Sequence, residues 1–108
     1  MKTEFTSELL EDIVSRLKDA IKPEKIYLFG SYASGQPNED SDIDLLAIIP
    51  DTDKSLRDIA VKGRRSLWDI HFSFDLIVCT KFQFDRFRDV KNSIINEASY
   101  FGRIIYES

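Results

Sequence analysis

Gly30-Ser31-Tyr32-Ala33-Ser34-Gly35, then Gln36 to Asp40, then Ser41-Asp42-Ile43-Asp44-Leu45, is the stretch that decides how this chain reads. It follows a β-rich run, Lys25 to Phe29 (KIYLF), and opens a second, Asp42 to Ile49 (DIDLLAII), closed by Pro50. A glycine and a serine directly after a buried strand let the backbone approach a ligand, and turn N–H groups there can cradle phosphate oxygens. Asp42 and Asp44 stand at i and i+2 of the second run, so strand alternation sends both carboxylates to one face. Two like charges that close are unfavourable on a mostly apolar strand unless a cation neutralises them. A third acid, Asp75, interrupts the run Phe72 to Cys79 (FSFDLIVC), where a bare carboxylate needs a partner. If that run neighbours the second with Asp75 on the shared face, the carboxylates of Asp42, Asp44 and Asp75 converge. Hard oxygen donors at that density select Mg²⁺ or Mn²⁺, and a pair of such ions is a common device for in-line attack on a phosphoryl group.

Outward from this core, apolar residues at 5, 9, 10, 13, 14, 17, 20 and 21 predict a helix over Phe5 to Ile21, stopped by Pro23. Ser31 to Ser41, with Gly35, Pro37 and Asn38, reads mostly as turn and loop. Ser55-Leu-Arg-Asp58 has the form of a capping box ahead of a stripe at Leu56, Ile59, Ala60 and Leu67. Phe72 to Cys79 is the third strand. Thr80-Lys-Phe-Gln83 is another capping box, opening one or two helices with apolar positions at Phe84, Phe87, Val90, Ile94 and Ala98. Arg103 to Tyr106 (RIIY) supplies a last strand. This order predicts an α/β (α+β) fold, a small mixed β-sheet flanked by helices in a single domain over 1–108, with 42–49 as a central strand covered on both faces. Trp68 and Phe72 are assigned to the core, Cys79 is a small apolar filler, and His71 is a surface or packing residue. Lys54, Arg57, Lys62, Arg64 and Arg65 read as a solvated helix face. The aromatic series Phe82, Phe84, Phe87, Tyr100, Phe101 and Tyr106 reads mostly as packing, with an exposed patch for a protein partner as the second reading.

Composition narrows the class. Of 108 residues, 43% are apolar and 31% charged, which excludes a disordered or low-complexity chain. The single cysteine excludes an intramolecular disulfide and a cysteine-based zinc cluster, and fits a reducing cytoplasm. No apolar run reaches the length of a membrane span, and the polar start is not a signal peptide. Fifteen basic against nineteen acidic residues give a net charge of −4, which argues against direct binding to nucleic-acid phosphates.

The segment resembles the signature of the DNA-polymerase-β-like nucleotidyltransferase superfamily: a Gly-Ser turn, Asp-x-Asp on the next strand, and an acid flanked by apolar residues on a later one. The short length and the pattern G-S-Y-A-x-G-x5-S-D-I-D-L resemble its minimal nucleotidyltransferases. The resemblance implies that Asp42 and Asp44 bridge two Mg²⁺ ions (or Mn²⁺), that Asp75 completes the site nearest the attacking hydroxyl, and that Gly30 and Ser31 hold the β- and γ-phosphates of ATP or another NTP. It further implies transfer of a nucleoside monophosphate to a hydroxyl, and an antitoxin whose partner is a HEPN-type RNase toxin adenylylated on tyrosine. Two alternatives stand beside this: neutralisation of the partner by contact alone, and modification of a small molecule such as an aminoglycoside, for which a homodimer could supply the missing pocket. One departure bears on the choice. The family usually carries Arg before the second glycine, and this chain has Ser34, so a fixed phosphate-binding cation is lost. Lys62, Arg64 and Arg65 offer themselves as substitutes.

Overall fold

The computed structural model describes residues 5–108. Thr6 starts the first helix, α1 (Ser7–Ile21), by accepting the Leu9 N–H at 3.1 Å on its hydroxyl. The helix ends at Lys22, whose φ of 50° lets its N–H close onto the Lys18 carbonyl, and Pro23 prevents any continuation. Beyond it run β1 (Lys25–Phe29), the single turn α2 (Ser31–Ser34), β2 (Ile43–Ile49), α3 (Leu56–Arg65), β3 (Phe74–Thr80), α4 (Lys81–Phe87), α5 (Ile94–Phe101) and β4 (Arg103–Glu107).

The strands form one mixed sheet in the order β3-β2-β1-β4. β1 is antiparallel to both β2 and β4, whereas β2 and β3 are parallel and joined by the crossover through α3. Alternation along β2 explains its burial. Ile43, Leu45, Ala47 and Ile49 join Ile13 and Leu17 of α1 and the α3 side chains on one face; Leu46 and Ile48 join Phe84 of α4 and Ala98 of α5 on the other. The expected doubly covered central strand is therefore present. Leu17 and Leu45 are fully buried, and each such side chain contributes about 1.5–3 kcal/mol of apolar burial. Arg16 ties α1 to the crossover, donating to the Ser66 carbonyl at 3.0 Å and pairing with Asp12 and Asp69.

The structure departs from the sequence reading at a few places. Ser31–Ser34 is helical rather than loop, since a single turn is too short to show periodicity. The last two strands run 74–80 and 103–107, and β2 begins at Ile43, so Asp42 stands just ahead of the strand rather than in it. Ser55 caps α3 by accepting the Asp58 N–H, but among the described residues only Thr80 and Gln83 exchange both bonds of a capping box; an Asp side chain is one carbon shorter than Glu or Gln. Trp68 does not belong to the core. In the turn after α3, Leu67 and then Ile70 face the core, and Trp68 between them is left 82% exposed. Phe72 does pack on the core, partly buried, and Cys79 is buried as an apolar filler, with burial pushing its thiol up to about 12. The aromatic series divides: Phe84 is buried, while Phe82, Tyr100 and Phe101 are exposed. Among the described residues no helix is long and apolar enough to cross a membrane.

Candidate active site

Three strands bring the sequence motif to one end of the sheet. β1 arrives there at its C-terminus, while the parallel pair β2 and β3 begins there. In the β2–β3 register Asp44 lies directly beside Asp75, and across the antiparallel pair Asp44 faces Phe29. Asp44 and Asp75 share the face of Leu46, Ile48 and Cys79, the face covered by α4 and α5. The convergence of β2 and β3 that the sequence made a condition is thus met for this pair, and Asp42 enters from the residue preceding β2.

Gly30 is placed for a stated reason. It caps α2 with φ 75° and ψ −155°, and a Cβ added there would lie 2.1 Å from Asp44 Oδ2. The backbone therefore runs against the Asp44 carboxylate, a close approach that only glycine permits. Ser31 follows as the first residue of α2, where the opening N–H groups of a helix lack intrahelical partners. The Ser34 hydroxyl donates to the Ser31 carbonyl at 3.1 Å, so its short side chain is tied to its own turn.

The electrostatics of this corner are one-sided. Burial first, and then the charges of Asp75, Asp42 and Glu97, push Asp44 above the usual carboxylate range. Asp42, Asp44 and Asp75 take part in none of the ion pairs among the described residues. An all-carboxylate oxygen set around a part-buried, unpaired Asp44 fits a hard divalent cation. The side chains are not drawn into a cage: among the described residues no three His, Cys, Asp or Glu groups lie close enough to enclose an ion. Asp42 and exposed His71 also line an open cleft of about 800 Å³ with Phe5, Tyr32, Phe72 and Ser73.

Lys62, Arg64 and Arg65 do not reach this corner. α3 packs through Gly63 onto Leu76 and Leu17, across the opposite face of the sheet from Asp44 and Asp75, because Leu76 follows Asp75 by one residue and points the other way. The residue that the motif did not reveal is Glu97. It is one more acid on an exposed helical face of α5, which packs on β1, and its charge is the smallest of those that raise Asp44.

This sheet, with a glycine turn against an acid pair at its end, defines a phosphoryl-transfer scaffold of the nucleotidyltransferase kind, and comparison with known proteins agrees. Residues 7–101 match the family described as nucleotidyltransferase domain, and the chain belongs to that family. A relative from Methanocaldococcus jannaschii, which carries the name of a protein adenylyltransferase, is 30% identical over 102 residues, covering 92% of this chain and 93% of its own. Two crystal structures share the fold, each over 92% of this chain and 73% of theirs with a TM-score of 0.66: a mutant of the toxin–antitoxin MntA–HpeT at 22% identity, and a toxin–antitoxin with AMP-PNP at 24%.

Proposed function

We propose that the chain transfers AMP from ATP to a hydroxyl of a partner protein, most specifically a tyrosine of a HEPN-type RNase toxin that it thereby silences as an antitoxin. The observation that carries the reading is Asp44 set in register beside Asp75 and pressed against Gly30, within a chain of the nucleotidyltransferase family. The relative named for protein adenylylation and the toxin–antitoxin fold matches support the direction of the proposal.

In this reading Asp42, Asp44 and Asp75 hold Mg²⁺, with Mn²⁺ as a substitute, and Gly30 and Ser31 hold the β- and γ-phosphates. When bound, the cations supply positive charge against the triphosphate oxygens and the departing pyrophosphate. The chain's own part is positional. Gly30 lets the backbone approach the phosphates without a side chain between them. Asp75, exposed at the start of β3, stands where a hydroxyl can approach and can accept its proton. The acceptor oxygen forms a bond to the α-phosphorus as the bond to pyrophosphate breaks, giving acceptor–O–AMP and pyrophosphate.

Ser34 favours a second reading, neutralisation by contact alone, because its side chain is tied to its own turn and offers no cation to phosphate. The experiment is an intact-mass spectrum of the neighbouring gene's product, co-expressed with this chain or with Asp42→Asn/Asp44→Asn. Whole AMP units added only by the intact chain support the transferase. A stable, unmodified complex that still silences the partner overturns it in favour of contact.

A further inference from the structure

The sheet order leaves β4 as an edge: β1 pairs with one side of it, and among the described residues no strand pairs with the other. An exposed apolar edge offers its free N–H and C=O groups to another chain unless charges, proline or a covering element blunt it. Here Ile104 is 46% exposed, and a groove of about 440 Å³ runs between β4 and α1. Its middle is apolar, formed by Leu10 and Val14 of α1 with Ile104 and Ile105 of β4 around the small Ser15. Its charges are Glu11, Lys18 and Asp19 of α1, and Arg103, which the register shift in β4 keeps opposite Leu28 on the α1 side. Two are positive and two negative, and none takes part in an ion pair among the described residues.

We infer that this groove is an interface between two copies of the chain related by a two-fold axis, with the β4 edges antiparallel and each α1 crossing the other at Val14 and Ser15. The charge pattern selects this occupant. A two-fold contact sets residue i against j and j against i, so a surface fits its own copy only where opposite charges stand symmetrically about the axis. Glu11 and Lys18 meet that condition. Glu11 precedes Val14 by three residues, Lys18 follows Ser15 by three, and a separation of seven keeps both on one helix face. Antiparallel α1 helices crossing there lay Glu11 against the partner subunit's Lys18, and Lys18 against the partner subunit's Glu11, with Val14 and Ser15 between. β1 stands between β4 and β2, so the contact lies away from the Asp44 and Asp75 pair.

The test is sedimentation equilibrium of the full chain at low ionic strength, at concentrations up to about 0.1 mM. Wild type should approach twice the chain mass. Ile104→Lys, which puts a charge on the exposed edge, should sediment as a monomer with an unchanged far-ultraviolet circular-dichroism spectrum. Glu11→Lys should weaken the dimer about tenfold, since both symmetric contacts turn repulsive. Glu11→Lys/Lys18→Glu should recover it to within about threefold, a rescue that a merely destabilising substitution would not produce. Recovery is short of complete because Lys18 Nζ also lies 5.0 Å from the centroid of the Tyr106 ring. A wild-type chain that stays monomeric at about 0.1 mM overturns the inference. So does a dimer that Ile104→Lys and Glu11→Lys leave intact, which places the contact elsewhere, and so does a loss in Glu11→Lys that the double exchange fails to reverse. A monomeric wild type that binds the co-expressed product of the neighbouring gene, and loses it on Ile104→Lys, overturns the second copy and assigns the groove to that protein.

Discussion

Gly30→Ala should be among the most disruptive small substitutions in the chain, and its effect can be worked out in two parts. At φ 75° and ψ −155° the backbone occupies a region held almost entirely by glycine, where another residue costs about 1–3 kcal/mol. The new Cβ would also lie 2.1 Å from Asp44 Oδ2 and 3.1 Å from its Cγ, yet 3.4 Å from its Cβ, an ordinary contact. The collision is thus confined to the outer carboxylate, and turning it off its rotamer adds about 1 kcal/mol. The total loss is about 2–4 kcal/mol, to be read from urea unfolding at neutral pH with an unchanged m-value. In an Asp44→Ala background the collision disappears and only the backbone part survives, so the two losses should differ by about 1 kcal/mol. A loss below about 0.5 kcal/mol in the wild-type background would falsify the reasoning about backbone strain, and equal losses in both backgrounds would remove the collision.

Further expectations concern other parts of the molecule. Folding raises the Asp44 pKa, so the fold is disfavoured once that group ionises: wild-type stability should fall as pH rises through the window between the ordinary carboxylate value and the raised one. Asp44→Asn should therefore melt higher than wild type near neutral pH, with the advantage vanishing below about pH 3; circular-dichroism melts across pH check this, and a constant gap refutes it. Trp68→Ala should change stability by less than about 0.5 kcal/mol, and native Trp68 fluorescence should be quenched by iodide almost as readily as in urea. With its thiol buried and pushed up to about 12, Cys79 should resist alkylation at mildly alkaline pH until the chain unfolds, as intact mass would record; rapid native labelling would contradict its burial.

The sheet was largely legible because its central strand announces itself. An apolar run filled at both parities, as in Leu45 to Ile49, has nowhere to go but between two layers. Pro23, Thr80 with Gln83, and the stripe of α1 carry their meaning locally, and the structure keeps them. What depends on tertiary arrangement was not legible. Trp68 and Leu67 are adjacent apolar residues, and only the angle of the turn after α3 decides which points inward. The placing of Asp75 beside Asp44 required β2 and β3 to be neighbours in parallel register, which the sequence states only as a condition. Gly30 could be read as a turn, but its close approach to Asp44 needs the antiparallel pairing of β1 with β2. Glu97 carried no signal, because the small contribution of its charge to Asp44 depends on how α5 packs and not on its own helix.

The parallel pairing of β2 with β3 makes the acid pair a matter of parity. Shifting β3 by one residue would turn Asp75 to the α1 and α3 layer and present Phe74 or Leu76 beside Asp44 in its place. The same slip would drive Leu76 and Val78 out of their layer, so the apolar pattern that selects the register also guards the corner where the carboxylates meet. Quality control is thereby written into the strand: a copy that pairs wrongly loses its core and its acid pair together.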